Sequence, residues 1–318
     1  MPLKKMGMKL VSDRTRPTIS CFMNIKNGIS QGYPFVEAIM SGLDLCEEFV
    51  ISDGYSIDGT YEVLVKLKKR FPKIKLYKIK WNDSLNSEGE VIAETANQTK
   101  KMCHGLYIFY LQANEIIHEA SIKPIKSLLD NHPTVEMFHI PFYQILLRNT
   151  LFEEGFRIRL CKNLFSIKVL TDGTQLGYKN LSCMPKLKYK GSRRYVSQKN
   201  ILALSGIDKP NFLHAILPKP IFRYPSLYRA NYAIKLEGHM GIYKKKYTEY
   251  FKKLKNMNSR LIYDNSFKNS WIYETYKTLS FKSPSYMKNG RKITLADHPS
   301  IIQNLLIKKN KKYEVPNL

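Results

Sequence analysis

The sequence predicts an α/β protein built on a doubly wound, mostly parallel sheet. Short apolar, strand-like runs alternate with segments of helical periodicity over roughly 140 residues, which is the pattern of such sheets. The run LYIFYL at residues 106–111 is apolar throughout, as expected for a strand covered on both faces. Hydrophobic residues make up 43% and aromatic residues 12% of the 318 residues, so the chain can bury a large core and is not disordered.

The individual elements are predicted from local periodicity and from residues that end a helix or a strand. Strands are predicted at residues 18–23, 49–52, 74–81, 106–111 and 136–143. The helix after the second strand ends before Pro72 and has four apolar residues on one face, namely Val63, Leu64, Leu67 and Phe71. A further helix is predicted at residues 88–103 and is closed by Gly105. Trp81 is expected to be a core residue.

Composition divides the chain into three predicted parts. Residues 1–17 form a basic N-terminal segment, residues 18–240 form the α/β domain, and residues 241–318 form a basic, helical C-terminal extension. The extension has 17 Lys and Arg against 5 Asp and Glu, and its aromatic residues are expected to pack it onto the domain. Its lysines then face either solvent or an anionic membrane.

Charge and cysteine content limit the classes of function. The 52 Lys and Arg against 26 Asp and Glu give a net charge of +26, which attracts phosphates, anionic lipid or nucleic acid, although a solvated basic surface explains the excess equally well. The five Cys are scattered without a C-x-x-C pair, which argues against a zinc site or a disulfide framework. No apolar run has the length of a membrane span, and the first 16 residues lack the apolar region of a signal peptide. A soluble, cytoplasmic protein is therefore expected.

Polar segments follow three of the predicted strands, which is where ligands bind in open α/β sheets. They are residues 24–28 (NIKNG), 52–60 (SDGYSIDGT) and 112–119 (QANEIIHE). Asp53, at the end of its strand, can accept hydrogen bonds from a base or a ribose. Asp58 precedes a helix and is predicted to cap its free amides instead.

Two of these segments resemble the signatures of family 2-type glycosyltransferases with the GT-A fold. The sequence FVISDGYSIDGTYEVL resembles the family's strand, Asp-Gly-x-Ser-x-Asp-Gly-Thr loop and helix, and LYIFYLQANEIIHE resembles its later strand with the D-x-D region. The resemblance implies a Rossmann-like GT-A domain in which residues 18–131 bind a nucleotide sugar and residues 132–240 face the acceptor. It also implies that the base lies near Asp53, with Asn24 and Ser56 in the donor site.

The family's D-x-D motif coordinates a divalent metal on the donor diphosphate, but this chain has Gln112-x-Asn114 instead. An amide oxygen can bind Mn²⁺ or Mg²⁺ without bringing charge, so the affinity for metal is expected to fall. Asn114 and Glu115 are the candidate metal ligands, and Gln112 is a candidate contact of the diphosphate. Alternatively, Arg157 and Arg159 neutralise the diphosphate themselves.

The segment FRIRLCKNLFSIKVLTDGTQLGY resembles the family's Arg-x-Arg-Leu strand followed by an acidic turn. Inverting transfer needs a carboxylate that takes the proton of the acceptor hydroxyl. The resemblance makes Asp172 the candidate general base, with Glu153 and Glu154 as alternatives. Asp before Gly is also what an ordinary hairpin turn uses, and this structural explanation stays open.

The sequence thus predicts a cytoplasmic enzyme that moves a hexose-like sugar from a nucleoside diphosphate sugar to a hydroxyl of a glycan, a lipid-linked acceptor or a protein. Peripheral contact with an anionic membrane is a further expectation. Two alternatives remain. The loss of both D-x-D carboxylates is also typical of a protein that binds nucleotide or glycan without catalysis. The charge of +26 alone suggests nucleic-acid binding, but no motif for that function is present.

Overall fold

The computed structural model describes residues 18–85, 90–146, 150–170, 173, 175–178, 212–226, 291–308 and 313–316. Its strands are β1 (Ile19–Ile25), β2 (Glu48–Asp53), β3 (Ile74–Lys78), β4 (Tyr107–Tyr110), β5 (Glu115–Ile117), β6 (Met137–Leu146), β7 (Thr150–Lys162), β8 (Ile167–Leu170), β9 (Gln175–Tyr178), β10 (Phe212–His214), β11 (Ile221–Ser226) and β12 (Arg291–Lys292). Its helices are α1 (Phe35–Leu43), α2 (Thr60–Arg70), α3 (Glu90–Lys100), α4 (Ile122–Asn131) and α5 (Ser300–Ile307).

The main sheet combines a parallel half with a mixed half. Its order is β3-β2-β1-β4-β7-β6-β11-β5, with β10 beside β6 and β12 beside β7. The first four strands of this order are parallel, so their carboxyl ends meet at one edge. Strand β7 runs antiparallel to both β4 and β6, while β8 and β9 form a separate two-stranded hairpin. The predicted α/β class is confirmed, and the mixed half is the part that periodicity did not resolve.

Both faces of the parallel half are buried, because successive residues of each strand point to opposite sides. One face packs with α1 and α2 and includes Met23, Ile51 and Phe109. The other face packs against Ala93 and Ala96 of α3 and against β8 and β9; its strand residues are Phe22, Val50, Ile108 and Tyr110. Helices on both faces confirm the doubly wound prediction.

The strand predicted at residues 74–81 ends earlier, at Lys78. Ile79 still donates its backbone N–H to the Asp53 carbonyl at 2.9 Å, after which the chain leaves the sheet. This exit carries Lys80 and Trp81 past the carboxyl ends of β1 and β2, away from the core position that the sequence predicted for Trp81.

The described residues near the C-terminus pack into the same core as the parallel sheet. Strand β12 pairs with β7, and Ile302 of α5 is fully buried in the core that contains α1. Tyr313 places its ring 5.6 Å from Phe35 and donates a hydrogen bond to Glu37 Oε2 at 3.0 Å. Most of the predicted C-terminal extension, including its aromatic residues between 243 and 276, lies outside the described residues, as does the segment 1–17. Membrane contact by the extension therefore stays a prediction.

No helix in the described part of the chain combines the length and the apolar character needed to cross a bilayer.

Glu37 is expected to make the stability of the fold depend on pH. Burial raises the pKa of Glu37 to about 7, and the hydrogen bond from Tyr313 opposes only part of this rise. The native state therefore keeps a proton that the unfolded chain releases near its ordinary pKa of 4.5. This contribution to stability is present below that pKa and is lost as pH rises through 7, by roughly 2–4 kcal/mol in total.

The Glu37→Gln variant removes this titration. Urea unfolding followed by circular dichroism should give a free energy of unfolding close to that of the unmodified protein at pH 5 and a clearly higher one at pH 8. An equal difference between the two proteins at both pH values would contradict the assignment.

Candidate functional site

The polar residues predicted from the strand ends lie at the carboxyl edge of the parallel sheet. Strand β1 lies between β2 and β4, and its register pairs Asn24 with Ser52 and Ile25 with Asp53. Asn24 is largely buried, and its Oδ1 accepts a hydrogen bond from the Tyr110 hydroxyl at 3.1 Å. The ends of β1, β2 and β4 thus form one continuous polar edge.

Asp53 is fully buried, and only one of its carboxylate oxygens has a partner. Its Oδ2 accepts the backbone N–H of Ser56 at 3.0 Å, whereas Oδ1 has no hydrogen-bond partner among the described residues. The Ser56 hydroxyl in turn accepts the backbone N–H of Asn27 at 2.8 Å, which ties the β2 loop to the β1 loop. A buried carboxylate oxygen without a partner is costly, so a ligand donor is expected to reach it.

Asp58 has the capping role that the sequence predicted. Its Oδ1 accepts the backbone N–H of Thr60, the first residue of α2, at 3.1 Å, and its Oδ2 accepts that of Ser30 at 2.7 Å. Although partial burial raises the pKa of Asp58, these hydrogen bonds lower it below its ordinary value. Asp58 therefore holds the loop around Asp53 in place.

A cavity of about 350 Å³ opens beside this loop, at the ends of β1, β2 and β3. Its lining residues are Lys26, Gly54, Tyr55, Lys80 and Trp81. Gly54 is required there, because a Cβ would lie 2.5 Å from Trp81 Nε1 and 2.9 Å from Lys26 Cβ. The buried indole Nε1 has no hydrogen-bond partner among the described residues. The cavity therefore offers an aromatic wall, an indole N–H and two cations, directly beside Asp53.

Sequence reasoning missed Lys26, Lys80 and Trp81 as site residues. Lys26 and Lys80 closely follow β1 and β3, and Trp81 follows the exit from β3. Their position just beyond parallel strands was the available signal, but a lone Trp or Lys is more often core or surface.

A second cluster forms at the end of β4, around a buried ion pair between Glu115 and Arg159. The two side chains are 0% and 1% exposed, and Arg159 Nη2 donates to Glu115 Oε1. The other carboxylate oxygen, Oε2, accepts the backbone N–H of Gln112 at 3.1 Å. The guanidinium carbon of Arg159 lies 5.1 Å from the centre of the Tyr110 ring. Both oxygens of Glu115 are thus in use.

The carbonyl of Gly173 joins this cluster to the β8–β9 hairpin. This carbonyl accepts a hydrogen bond from Gln112 Nε2 at 2.8 Å and another from Arg159 Nη1 at 3.1 Å. Gly173 has φ +80°, and a Cβ there would lie 2.9 Å from both the Tyr110 hydroxyl and Ile92 Cγ2. Only glycine fits this conformation and this gap without strain.

A β-bulge separates the two arginines of the Arg-x-Arg segment. The register of β6 and β7 pairs Phe138 with Leu160 and His139 with Ile158, so Arg159 is the extra residue. In a regular strand Arg157 and Arg159 would share one face, but the bulge turns them apart. The Arg157 guanidinium lies 5.1 Å from the Phe142 ring and donates to its neighbour's carbonyl, that of Phe156, at 3.1 Å. The structure therefore does not bring Arg157 into the Glu115 cluster.

The side chains at the predicted metal position do not form a carboxylate-ligated cation site. Glu115 shares its charge with Arg159, and the Gln112 amide is held by Gly173. Asn114 is buried and brings a neutral side chain, while its backbone carbonyl accepts the N–H of Tyr224 at 2.8 Å. Within the described ranges, His, Cys, Asp and Glu do not gather in a group of three that could hold a metal. The metal role of Asn114 and Glu115 stays a prediction, and the ion pair of Glu115 argues against it.

The three candidate bases are not placed by the structure. Asp172 lies outside the described residues, and for Glu153 and Glu154 only the backbone is described, in the part of β7 that pairs with β6.

No family model and no curated protein matches the chain. Among solved structures, it is similar to S. aureus TarS residues 1–349 in complex with UDP-GlcNAc, at TM-score 0.42 and 11% identity, over 80% of this chain and 76% of that one. A structure of S. aureus TarS gives TM-score 0.42 and 12% identity, over 91% and 52% of the two chains. The mannosyltransferase PcManGT from Pyrobaculum calidifontis in complex with GDP-Man and Mn²⁺ gives TM-score 0.30 and 17% identity, over 39% and 35%. All three TM-scores are below 0.5, and the identities are at most 17%.

Removing one partner of the Glu115–Arg159 pair is expected to destabilise the fold. Glu115→Gln leaves the guanidinium of Arg159 buried without its counter-charge, which costs about 3–5 kcal/mol. The double variant Glu115→Leu with Arg159→Met removes both charges and should recover most of that loss. Urea unfolding of the two variants and the unmodified protein is the measurement. A single variant within about 1 kcal/mol of the unmodified protein would show that the pair is not a structural constraint.

Proposed function

We propose that the protein is a glycosyltransferase that moves a sugar from a nucleoside diphosphate sugar to an acceptor hydroxyl. The observation that carries this proposal is the unpartnered, fully buried Oδ1 of Asp53 beside a cavity lined by Lys26, Lys80 and Trp81. A carboxylate acceptor, an aromatic wall and two cations are the groups that a base and its phosphates require. The loop that carries Asp53 has the sequence that resembles the donor-binding signature of family 2-type glycosyltransferases.

Two unpartnered polar atoms fit the edge of a nucleobase. Asp53 Oδ1 needs an N–H donor, and Trp81 Nε1 needs an acceptor. Uracil, thymine and guanine offer a ring N–H next to a carbonyl oxygen, and adenine and cytosine offer an amino N–H next to a ring nitrogen. The two atoms therefore support a base as the ligand without selecting one, and Ser56 is proposed to orient the Asp53 carboxylate.

The transfer itself forms a bond between the acceptor oxygen and the anomeric carbon and breaks the bond between that carbon and the diphosphate oxygen. The nucleoside diphosphate leaves with the electron pair, and a carboxylate takes the hydroxyl proton. Asp172 is proposed as this base from the resemblance, with Glu153 and Glu154 as alternatives, and inversion follows if attack is direct. The diphosphate would lie toward Gln112, whose amide donates to the Gly173 carbonyl, and Asn24 would belong to the same donor site.

A binding protein without catalysis is the second candidate, favoured by the two amides at the D-x-D positions. A thermal-shift screen with UDP-, GDP-, dTDP-, ADP- and CMP-sugars tests donor binding. Slow hydrolysis of the sugar nucleotide that binds would then support the enzyme, and binding without any turnover in the presence of candidate acceptors would support the second candidate. No stabilisation by any sugar nucleotide would refute both.

The Asp53→Asn variant is expected to weaken binding of the nucleotide by about 5- to 100-fold, because the N–H donor of the base loses its carboxylate partner. Asp44→Asn is a matched control, since Asp44 is exposed at the end of α1, before β2 begins. Calorimetry with the nucleotide found by the screen gives the affinities. Unchanged affinity in a folded Asp53→Asn protein would remove Asp53 from the site.

A further inference from the structure

We infer that the donor diphosphate is bound without a divalent metal, with Arg159 in the structural place of the metal and with Lys26 and Lys80 supplying the positive charge. This inference rests on the proposed function, because it concerns the phosphates of the same donor. It begins with the side chains of Gln112 and Glu115 at the D-x-D position, which are held by other contacts in this chain.

The first step concerns Glu115, the carboxylate that contacts Gln112 among the described residues. Its Oε1 accepts from Arg159 and its Oε2 accepts the backbone N–H of Gln112 at 3.1 Å. A metal that took Glu115 as a ligand would have to displace Arg159, whose side chain is 1% exposed. A buried guanidinium without its counter-charge is strongly unfavourable, so the ion pair excludes the metal from this carboxylate.

The second step concerns what Arg159 binds. Its guanidinium donates to a carboxylate oxygen of Glu115 and to the backbone carbonyl of Gly173, the latter at 3.1 Å. Carboxylate and carbonyl oxygens are the ligands that a hard divalent cation would take. Arg159 therefore joins the end of β4 to the β8–β9 turn as a bound cation would. The β-bulge is the feature that turns its side chain to this face.

The third step concerns charge. Lys26 and Lys80 line the cavity, and none of the lining residues that the structure describes is acidic. Each phosphate of a nucleotide sugar carries a negative charge, which these two lysines can match. Lys26 Nζ lies 5.6 Å from the centre of the Trp81 ring, within the cavity wall, whereas Lys78 Nζ lies 3.8 Å from the centre of the Tyr61 ring, which is not part of the lining. Lysine binds phosphate as a point charge and needs no metal to do so.

Calorimetry on the unmodified protein tests the absence of metal. UDP, GDP, dTDP, ADP and CDP are titrated in EDTA and again with millimolar Mn²⁺ or Mg²⁺. Affinities that agree within about two-fold are expected for the nucleotide that binds. Binding that is ten-fold or more tighter with metal would overturn the inference while leaving the proposed function intact. Binding of none of these nucleotides under either condition would refute the proposed function, and the inference with it.

A second readout needs no nucleotide and no activity. Mn²⁺ alone is titrated into the protein while electron paramagnetic resonance follows the free aqua ion. The signal is expected to equal that of buffer, and a stoichiometric loss of free Mn²⁺ that Asn114→Ala abolishes would overturn the inference.

The lysines are tested by comparing a nucleoside diphosphate with its nucleoside. Lys26→Gln and Lys80→Gln are each expected to lower the affinity for the nucleoside diphosphate by about ten-fold at low salt. The affinity for the nucleoside should stay unchanged. Lys69→Gln is the matched control, since Lys69 is exposed in the last turn of α2, at the opposite end of that helix from the Asp53 loop. If all three variants weakened binding of the nucleoside diphosphate equally, the cause would be the overall positive charge of the protein. That result would overturn the role of the two cavity lysines.

Discussion

The buried ion pair of Glu115 and Arg159 is the interaction on which the geometry of the site depends. Two charges removed from water are tolerated when hydrogen bonds satisfy most of their remaining lone pairs and protons. The Gln112 backbone N–H and the Gly173 carbonyl supply such bonds to the pair, while Arg159 Nε is buried without a partner among the described residues. The pair also fixes the bulge in β7, because a regular strand would turn Arg159 away from Glu115. The end of β4, the bulge and the β8–β9 turn therefore hold one another in place.

Much of the fold could be predicted from the sequence, because burial on both faces leaves a direct trace in residue type. The apolar run of β4 and the apolar face of α2 are examples. The Asp53 loop could also be predicted, because its capping and turn residues are neighbours in the sequence. The bulge at Arg159 leaves no such trace, since it is set by the pairing of β7 with β6 rather than by either strand alone. Trp81 was misjudged for a related reason: its role depends on where β3 leaves the sheet, which residues 79–81 do not reveal.

The two halves of the edge differ in electrostatic character. Around Asp53 and the cavity, the described side chains leave a carboxylate oxygen and an indole N–H without partners, beside Lys26 and Lys80. Around Glu115, the opposite charges are matched by each other, and Arg159 Nε is the group of the pair that has no hydrogen-bond partner among the described residues. The first region therefore offers a ligand an acceptor, a donor and two cations, whereas the second offers a single N–H donor. The net charge of +26 favours anionic ligands in general, because the positive electrostatic field draws anions toward the whole surface. It does not select one site over another.

Two glycines explain why these contacts can be so close. At Gly54 the backbone approaches the Trp81 indole, and at Gly173 it approaches the Tyr110 hydroxyl, and in both cases a Cβ would clash. Tyr110 is hydrogen-bonded to Asn24 on β1, while Gly173 is bonded to Gln112 and Arg159. A shift of the β8–β9 turn would therefore disturb Arg159 on β7 and Gln112 after β4 at once. Groups held in this way lose little conformational freedom when a ligand arrives, so their interaction energy is available for binding and for orienting the donor.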